Sequence, residues 1–147
     1  MSKPLLVIDT NVVLDLFVFR DARYAAMSDA LVRRELGWIA TQRMRDELQR
    51  VLAYPHLAAR LQASGVATAA VMSLFDESAS VVEEPAQAPV LCKDIDDQPF
   101  IDLAVQHQCI LLSKDAAVLA LQKRLALLGV TVAANLPVHR VRPAADV

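Results

Sequence analysis

Leu5-Leu6-Val7-Ile8 is an unbroken apolar run with no polar alternation, the pattern of a strand buried on both faces in the middle of a parallel sheet. A polar triplet, Asp9-Thr10-Asn11, follows at once, a turn and helix-cap signal, and residues 12–19 then read as a short apolar helix. The pattern repeats. Residues 21–35 carry Tyr24, Met27, Leu31 and Val32 at helical spacing, Gly37 breaks the helix, and Trp38-Ile39-Ala40 is a second strand. Thr41 caps a helix over 42–52 that stops before Pro55, and 56–65 and 67–75 read as two more helices. A short strand over 80–82 leads into a loop over 83–89. Pro99 suits the first turn of a helix reaching about Gln108. Strands over 110–113 and 130–132 enclose a helix over 116–128 closed by Gly129. Strands alternating with helices imply right-handed βαβ units on one sheet. The expected fold is a three-layer α/β/α sandwich with a central, mostly parallel sheet, a single domain over residues 1–135 and an irregular tail over 136–147.

Composition supports this and narrows the partners. At 147 residues the chain can bury one sizeable core, and its 55 % hydrophobic and 22 % charged content is that of a soluble globular protein. Three glycines are too few for a loop-rich or all-β design. Cys92 and Cys109 lack CxxC spacing and lie in apolar surroundings, as reduced core thiols do. No apolar stretch approaches the roughly 18 residues that span a membrane, and no signal-peptide core is present, so a cytoplasmic location is expected. The net charge of −2 gives no global signal for nucleic acid, yet the charge is uneven. Residues 20–60 hold eight Arg and five acids, whereas residues 76–102 hold eight acids and one Lys. A basic flank beside an acidic pocket suits an anionic substrate; solvated helix faces and loops would give the same counts.

The acids stand where chemistry is expected. In open α/β sheets, ligands bind beyond the carboxyl ends of strands, where strand order reverses. Asp9 and Asp115 follow strand-like runs, and they converge if those strands are neighbours. Each is equally suited to cap a helix. Glu47 falls on the edge of the apolar stripe Met44, Leu48, Val51 and Leu52, while Asp46 points to the opposite side, so Glu47 either meets a metal or reaches water from the rim. Asp94, Asp96 and Asp97 crowd a helix start, more acids than capping requires, though an exposed acidic loop would look the same. Asp97 lies closest to the helix and is the expected ligand, with Asp94 or Asp96 accessory. Thr10, Asn11 and Ser113 stand beside these acids as candidate polar contacts or ordinary caps. Clustered carboxylates repel one another unless a cation sits among them. An all-oxygen set without histidine or cysteine points to Mg²⁺ or Mn²⁺ rather than zinc.

Together these residues resemble the PIN-domain family of ribonucleases. The matching elements are Leu-Val-Ile-Asp9-Thr10-Asn11 after the first strand and Glu47-Leu48-Gln-Arg-Val51-Leu52 in a helix. They continue with Asp97 seven residues ahead of the small Ala104, and Ser113-Lys114-Asp115 after an apolar strand. Order and spacing agree over about residues 5–132, with Ser113 where Thr is commoner. The stretch Cys92-Lys-Asp-Ile-Asp-Asp97-Gln-Pro-Phe is similar to a subgroup identified as toxins of type II toxin–antitoxin systems (VapC-like). The resemblance implies hydrolysis of RNA phosphodiesters with Mg²⁺ or Mn²⁺ held by Asp9, Glu47, Asp97 and Asp115. It also implies a homodimer and a cognate antitoxin that places a basic or polar segment in the acidic site. His56, His107 and His139 occupy no motif position.

Two other readings compete. A haloacid-dehalogenase-like phosphatase also begins strand-Asp, but wants a second carboxylate where this chain has Asn11. A catalytically silent PIN-like module would bind RNA or protein without cutting, though such a degenerate site usually lacks one of the four acids. A P-loop or dinucleotide fold is excluded, since no Gly-rich loop follows the first strand.

Overall fold

The computed structural model of the protein describes residues 3–136. Five strands form one sheet: β1 (Leu5–Ile8), β2 (Gly37–Ala40), β3 (Ala79–Val81), β4 (Ile110–Leu112) and β5 (Thr131–Ala133). Their order is β3-β2-β1-β4-β5 and every pairing is parallel. β1 is central, and Leu6, Val7 and Ile8 are buried as a strand covered on both faces must be. Helices α1 (Thr10–Phe17) and α2 (Ala25–Val32) link β1 to β2, while α3 (Gln42–Leu52), α4 (Pro55–Ser64) and α5 (Thr68–Ser78) link β2 to β3. The crossover to β4 uses α6 (Gln98–His107), and α7 (Ala116–Leu119) and α8 (Gln122–Ala126) lead to β5. Right-handed crossovers that run in opposite directions across a sheet lie on opposite faces. That rule places α1–α5 on one side and α6–α8 on the other, an α/β/α sandwich.

Two expected helices are broken. The chain leaves α1 through Arg20 at φ 49°, and Asp21 accepts the Arg23 N–H (3.0 Å), restarting it as a 3₁₀ turn, Ala22–Tyr24. α2 then ends three residues short of Glu35, where Arg34 adopts φ 59° and the Glu35 N–H returns to the Ala30 carbonyl (2.9 Å). The segment 116–128 is α7 and α8 joined by a tight turn, because Leu121 N–H bonds Val118 three residues back (3.0 Å). Gln122 Nε2 then draws α8 onto the sheet through the Val132 carbonyl (2.8 Å). Gly129, at φ 84°, makes the left-handed reversal into β5. β3 and β5 are displaced by one residue from their expected positions. Leu136, where the tail was expected to begin, is buried, and residues 137–147 of that tail lie outside the described residues.

The core on the α1–α5 side is built around Trp38 of β2, which is 1 % exposed. Phe75 of α5 meets it edge-on at 4.9 Å and Phe17 of α1 lies 6.0 Å away. Aromatic groups in these arrangements contribute beyond their buried area. Among the described residues no single helix is long and apolar enough to cross a membrane. α4 and α5 pass that test only as a pair bent by 93°, and α5 already commits Val71, Met72 and Phe75 to the core. Trp38→Ala is expected to cost about 3–5 kcal/mol by urea unfolding, the range for deleting a large buried side chain. A loss under about 1 kcal/mol would show that the three-ring cluster does not anchor the helical layer.

Candidate metal centre

β1 and β4 are neighbours, with Ile8 opposite Leu112, and strand order reverses between them. The ladder runs one residue further, since Asp9 N–H donates to the Leu112 carbonyl (2.9 Å). Asp9 therefore leaves the sheet beside Ser113. Its backbone is extended at the head of α1, but its carboxylate is not spent on the helix. Oδ2 accepts from the Ser113 hydroxyl (2.8 Å), and the same Ser113 oxygen accepts the Asp115 N–H (3.1 Å). Asp9 and Ser113 are both buried. Asp115 is half-buried and does cap, its Oδ1 taking the Ala117 N–H (2.8 Å) at the start of α7.

The third acid arrives from the opposite direction. Asp94 starts a 3₁₀ turn (Ile95–Asp97) by accepting the Asp96 N–H (3.0 Å), and the turn delivers Asp97 to the head of α6. Asp97 makes no side-chain cap bond, is 7 % exposed, and its Oδ2 has no hydrogen-bond partner. Asp94, Asp97 and Asp115 each bring one carboxylate oxygen within 4.8 Å of the others. Burial, then the charges of Asp9, Asp115 and Asp94, push the Asp97 carboxyl up to about 7. Burial also raises Asp9, against the Ser113 hydroxyl bond and with the charges of Asp115 and Glu47 adding. A buried oxygen without a donor, among acids that repel, fits a hard divalent cation with oxygen ligands.

Glu47 joins from α3. Met44, Leu48 and Leu52 are buried and Glu47 is half-buried beside them, as the stripe requires. Its partner is Thr10, whose hydroxyl donates to Oε2 (2.9 Å) and ties α3 to the first turn of α1. Asp46 is exposed and accepts Gln42 Nε2 (3.0 Å) on the outer face. Asn11 is exposed next to Thr10. Asp96 stands apart from the three-acid set. It is exposed and lines a cleft of about 70 Å³ with Glu47, Arg43, Arg50, Pro99 and Phe100. Asp94, expected only as an accessory, belongs to the tightest set, which contains neither Asp9 nor Glu47.

Two supporting arrangements escaped the sequence reading. Gln98, Asp102 and Gln106 recur every fourth residue on α6 and clamp the irregular stretch before it. Gln98 accepts Cys92 N–H (2.6 Å) and donates to the Val90 carbonyl (3.0 Å) and to Asp102 (2.8 Å). Asp102 accepts Ala88 N–H (2.9 Å) and Gln106 accepts Ala86 N–H (3.3 Å). The four-residue polar period was the available signal. The second is the ion pair of Lys114 with Asp15, a buried acid inside α1. A carboxylate within an apolar helix needs a partner, and that was its signal.

The raised Asp97 carboxyl sets a pH dependence for the metal-free protein. Its folded pKa, about 7, lies above the unfolded value near 3.8, so the proton stabilises the fold. That contribution is full below about 3.8 and is lost as pH rises toward 7. In EDTA the melting temperature is expected to rise as pH falls from 7.5 to 5.5, and Asp97→Asn to raise it at pH 7.5 and flatten the slope. An unchanged slope in the variant would mean that Asp97 carries no such strain.

The family model for the PIN domain matches residues 5–117, from β1 through the first residues of α7. No curated protein is similar enough to the chain to match it. The matched span contains each acid that the fold gathers at the β1–β4 crevice, and the family is one of nucleases in general. By that match, over most of its length, the chain belongs to the PIN-domain family.

Proposed function

We propose that this chain is a Mg²⁺- or Mn²⁺-dependent ribonuclease and the toxin of a type II toxin–antitoxin pair. The observation that carries the first part is Asp97, a buried carboxylate that leaves one oxygen without a partner and brings an oxygen within 4.8 Å of those of Asp94 and Asp115. Asp9, Glu47, Asp97 and Asp115 would hold the ion, with Asp94 beside them. When bound, a divalent cation lowers the pKa of a water and neutralises charge developing on the phosphate. The protein's part is preorganisation. Ser113 holds Asp9, Thr10 holds Glu47, and the exposed Asn11 amide stands ready to donate to a phosphate oxygen. No histidine is required, and His107 closes α6 at the end opposite Asp97. The toxin assignment rests on the stretch 92–100 and carries with it a homodimer, a cytoplasmic setting and an antitoxin that fills the acidic crevice.

Purified protein is expected to cut RNA with Mg²⁺ or Mn²⁺ and to stop in EDTA; cleavage that survives EDTA would overturn the metal-based reading. It should leave para-nitrophenyl phosphate intact, whereas turnover of that ester would favour a phosphatase.

Neighbouring acids on α3 give the sharper test. Glu47→Gln is expected to lower kcat/KM about a hundredfold or more, since it weakens a ligand and its second-sphere support. Asp46→Asn removes the same charge from the same turn but should stay near parental activity and shift stability by under about 0.5 kcal/mol. Equal losses in the two would indicate a diffuse charge effect and no ligand role for Glu47.

A further inference from the structure

Residues 20–60 are rich in arginine, but the fold commits most of them elsewhere. Arg23 is held bidentately by Asp21, Arg33 pairs with Glu35 (3.8 Å), and Arg34 donates to the Glu77 carbonyl. Arg45 pairs with Asp76 (2.7 Å), and Arg60 stacks over the Phe19 ring, 5.0 Å from its centre. Arg20, Arg43 and Arg50 make no ion pair or side-chain hydrogen bond among the described residues. Arg20 lines a separate groove beside α2. Arg43 and Arg50 both line the small cleft that contains Glu47 and Asp96. They are exposed, and they bracket Glu47 at four residues before and three after, on one face of α3 and about 10.5 Å apart along its axis. Two guanidinium groups thus sit beside Glu47 and Asp96 without pairing to them, and Glu47 is an acid whose charge acts on Asp9 at the crevice. Such groups match phosphate oxygens bidentately and stay charged at every working pH.

We propose that Arg43 and Arg50 are the RNA-backbone contacts of this site, gripping phosphates on either side of the one to be cut. The inference rests on the ribonuclease reading above. It assigns α3 two roles: Glu47 faces the ion, and the arginines one turn away on each side set the path of the strand. The pair also answers an electrostatic problem, because a polyanion approaching a crevice of acids needs local positive charge to offset the repulsion.

The test uses a dye-labelled single-stranded RNA and the full chain with Arg43→Gln, Arg50→Gln and both. Gln keeps helix propensity, and exposed substitutions leave the fold intact. Arg33→Gln serves as the control. Each change is expected to raise KM about five- to tenfold at low salt with kcat largely kept, and to reduce the steepness of the log KM against log salt line by about 0.7. Unchanged KM and salt slope in a cleaving protein, or an equal effect of Arg33→Gln, would overturn the proposal. A second arm measures binding of the same RNA in Mn²⁺ by fluorescence anisotropy in an Asp97→Asn background. Weaker binding on loss of Arg43 or Arg50 supports the proposal even if the parent cuts no RNA, in which case only the ribonuclease reading falls. No RNA binding at all, or binding indifferent to both arginines, would overturn it.

Discussion

The repulsion among carboxylates at the carboxyl edge of the sheet is the interaction around which the remainder of this structure is arranged. Asp97 is buried, lacks a partner for one oxygen, and faces Asp9, Asp94 and Asp115, so its charge is opposed from several directions. Left to itself, such a cluster would swing its acids to water. The protein prevents this by fixing the backbone that carries each acid. Asp9 is locked by the β1–β4 ladder and Ser113, and Asp115 by the same hydroxyl and by α7. Asp97 sits between a 3₁₀ turn and α6, and the polar stripe of α6 clamps the stretch leading to it.

The stabilising elements are accordingly placed close to the destabilising ones. Lys114, between Ser113 and Asp115, reaches Asp15 in α1, so the two chain segments that emerge into the crevice are joined by a charge pair as well as by the sheet. Thr10 joins α1 to α3 through Glu47. An oxygen-lined pocket of mutually repelling acids on a fixed backbone suits a divalent cation, since a bound ion would offset the cost of holding the acids together. The positive charge in the same region is sorted with equal selectivity. Arg23, Arg33, Arg34, Arg45 and Arg60 are tied to acids, a carbonyl or a ring, Arg20 lines a separate groove, and Arg43 and Arg50 flank Glu47 in the small cleft.

Much of this was readable from residues alone, for identifiable reasons. Central β1 was legible because a strand covered on both faces cannot tolerate a polar residue, and α3 because its apolar stripe follows the helical period. The same period separated Glu47 from Asp46. The break near residue 20 was legible, although the 3₁₀ turn at 22–24 that follows it was not, and neither was the helix break at 120–121. No proline or glycine marks the latter place, and the chain turns there as Gln122 finds the Val132 carbonyl, a partner that only the folded sheet supplies. One-residue displacements of β3 and β5 have a similar origin, since edge strands pair on one side only and local pattern constrains them weakly.

For the site, sequence by itself determined the inventory: which acids stand at element ends, that oxygen ligands prevail, and that the motif order is that of the PIN domain. Tertiary structure decided the grouping. Asp94 rather than Asp96 completes the tight set, Asp115 caps α7 as well as facing the crevice, and Asp15 and Lys114 find each other across the sheet edge. These outcomes depend on strand order, because β1 and β4 become neighbours only after the chain has traversed β2 and β3 on the far side. Local propensity acts over a few residues, whereas Coulomb repulsion and desolvation depend on distances that only the packed sheet establishes.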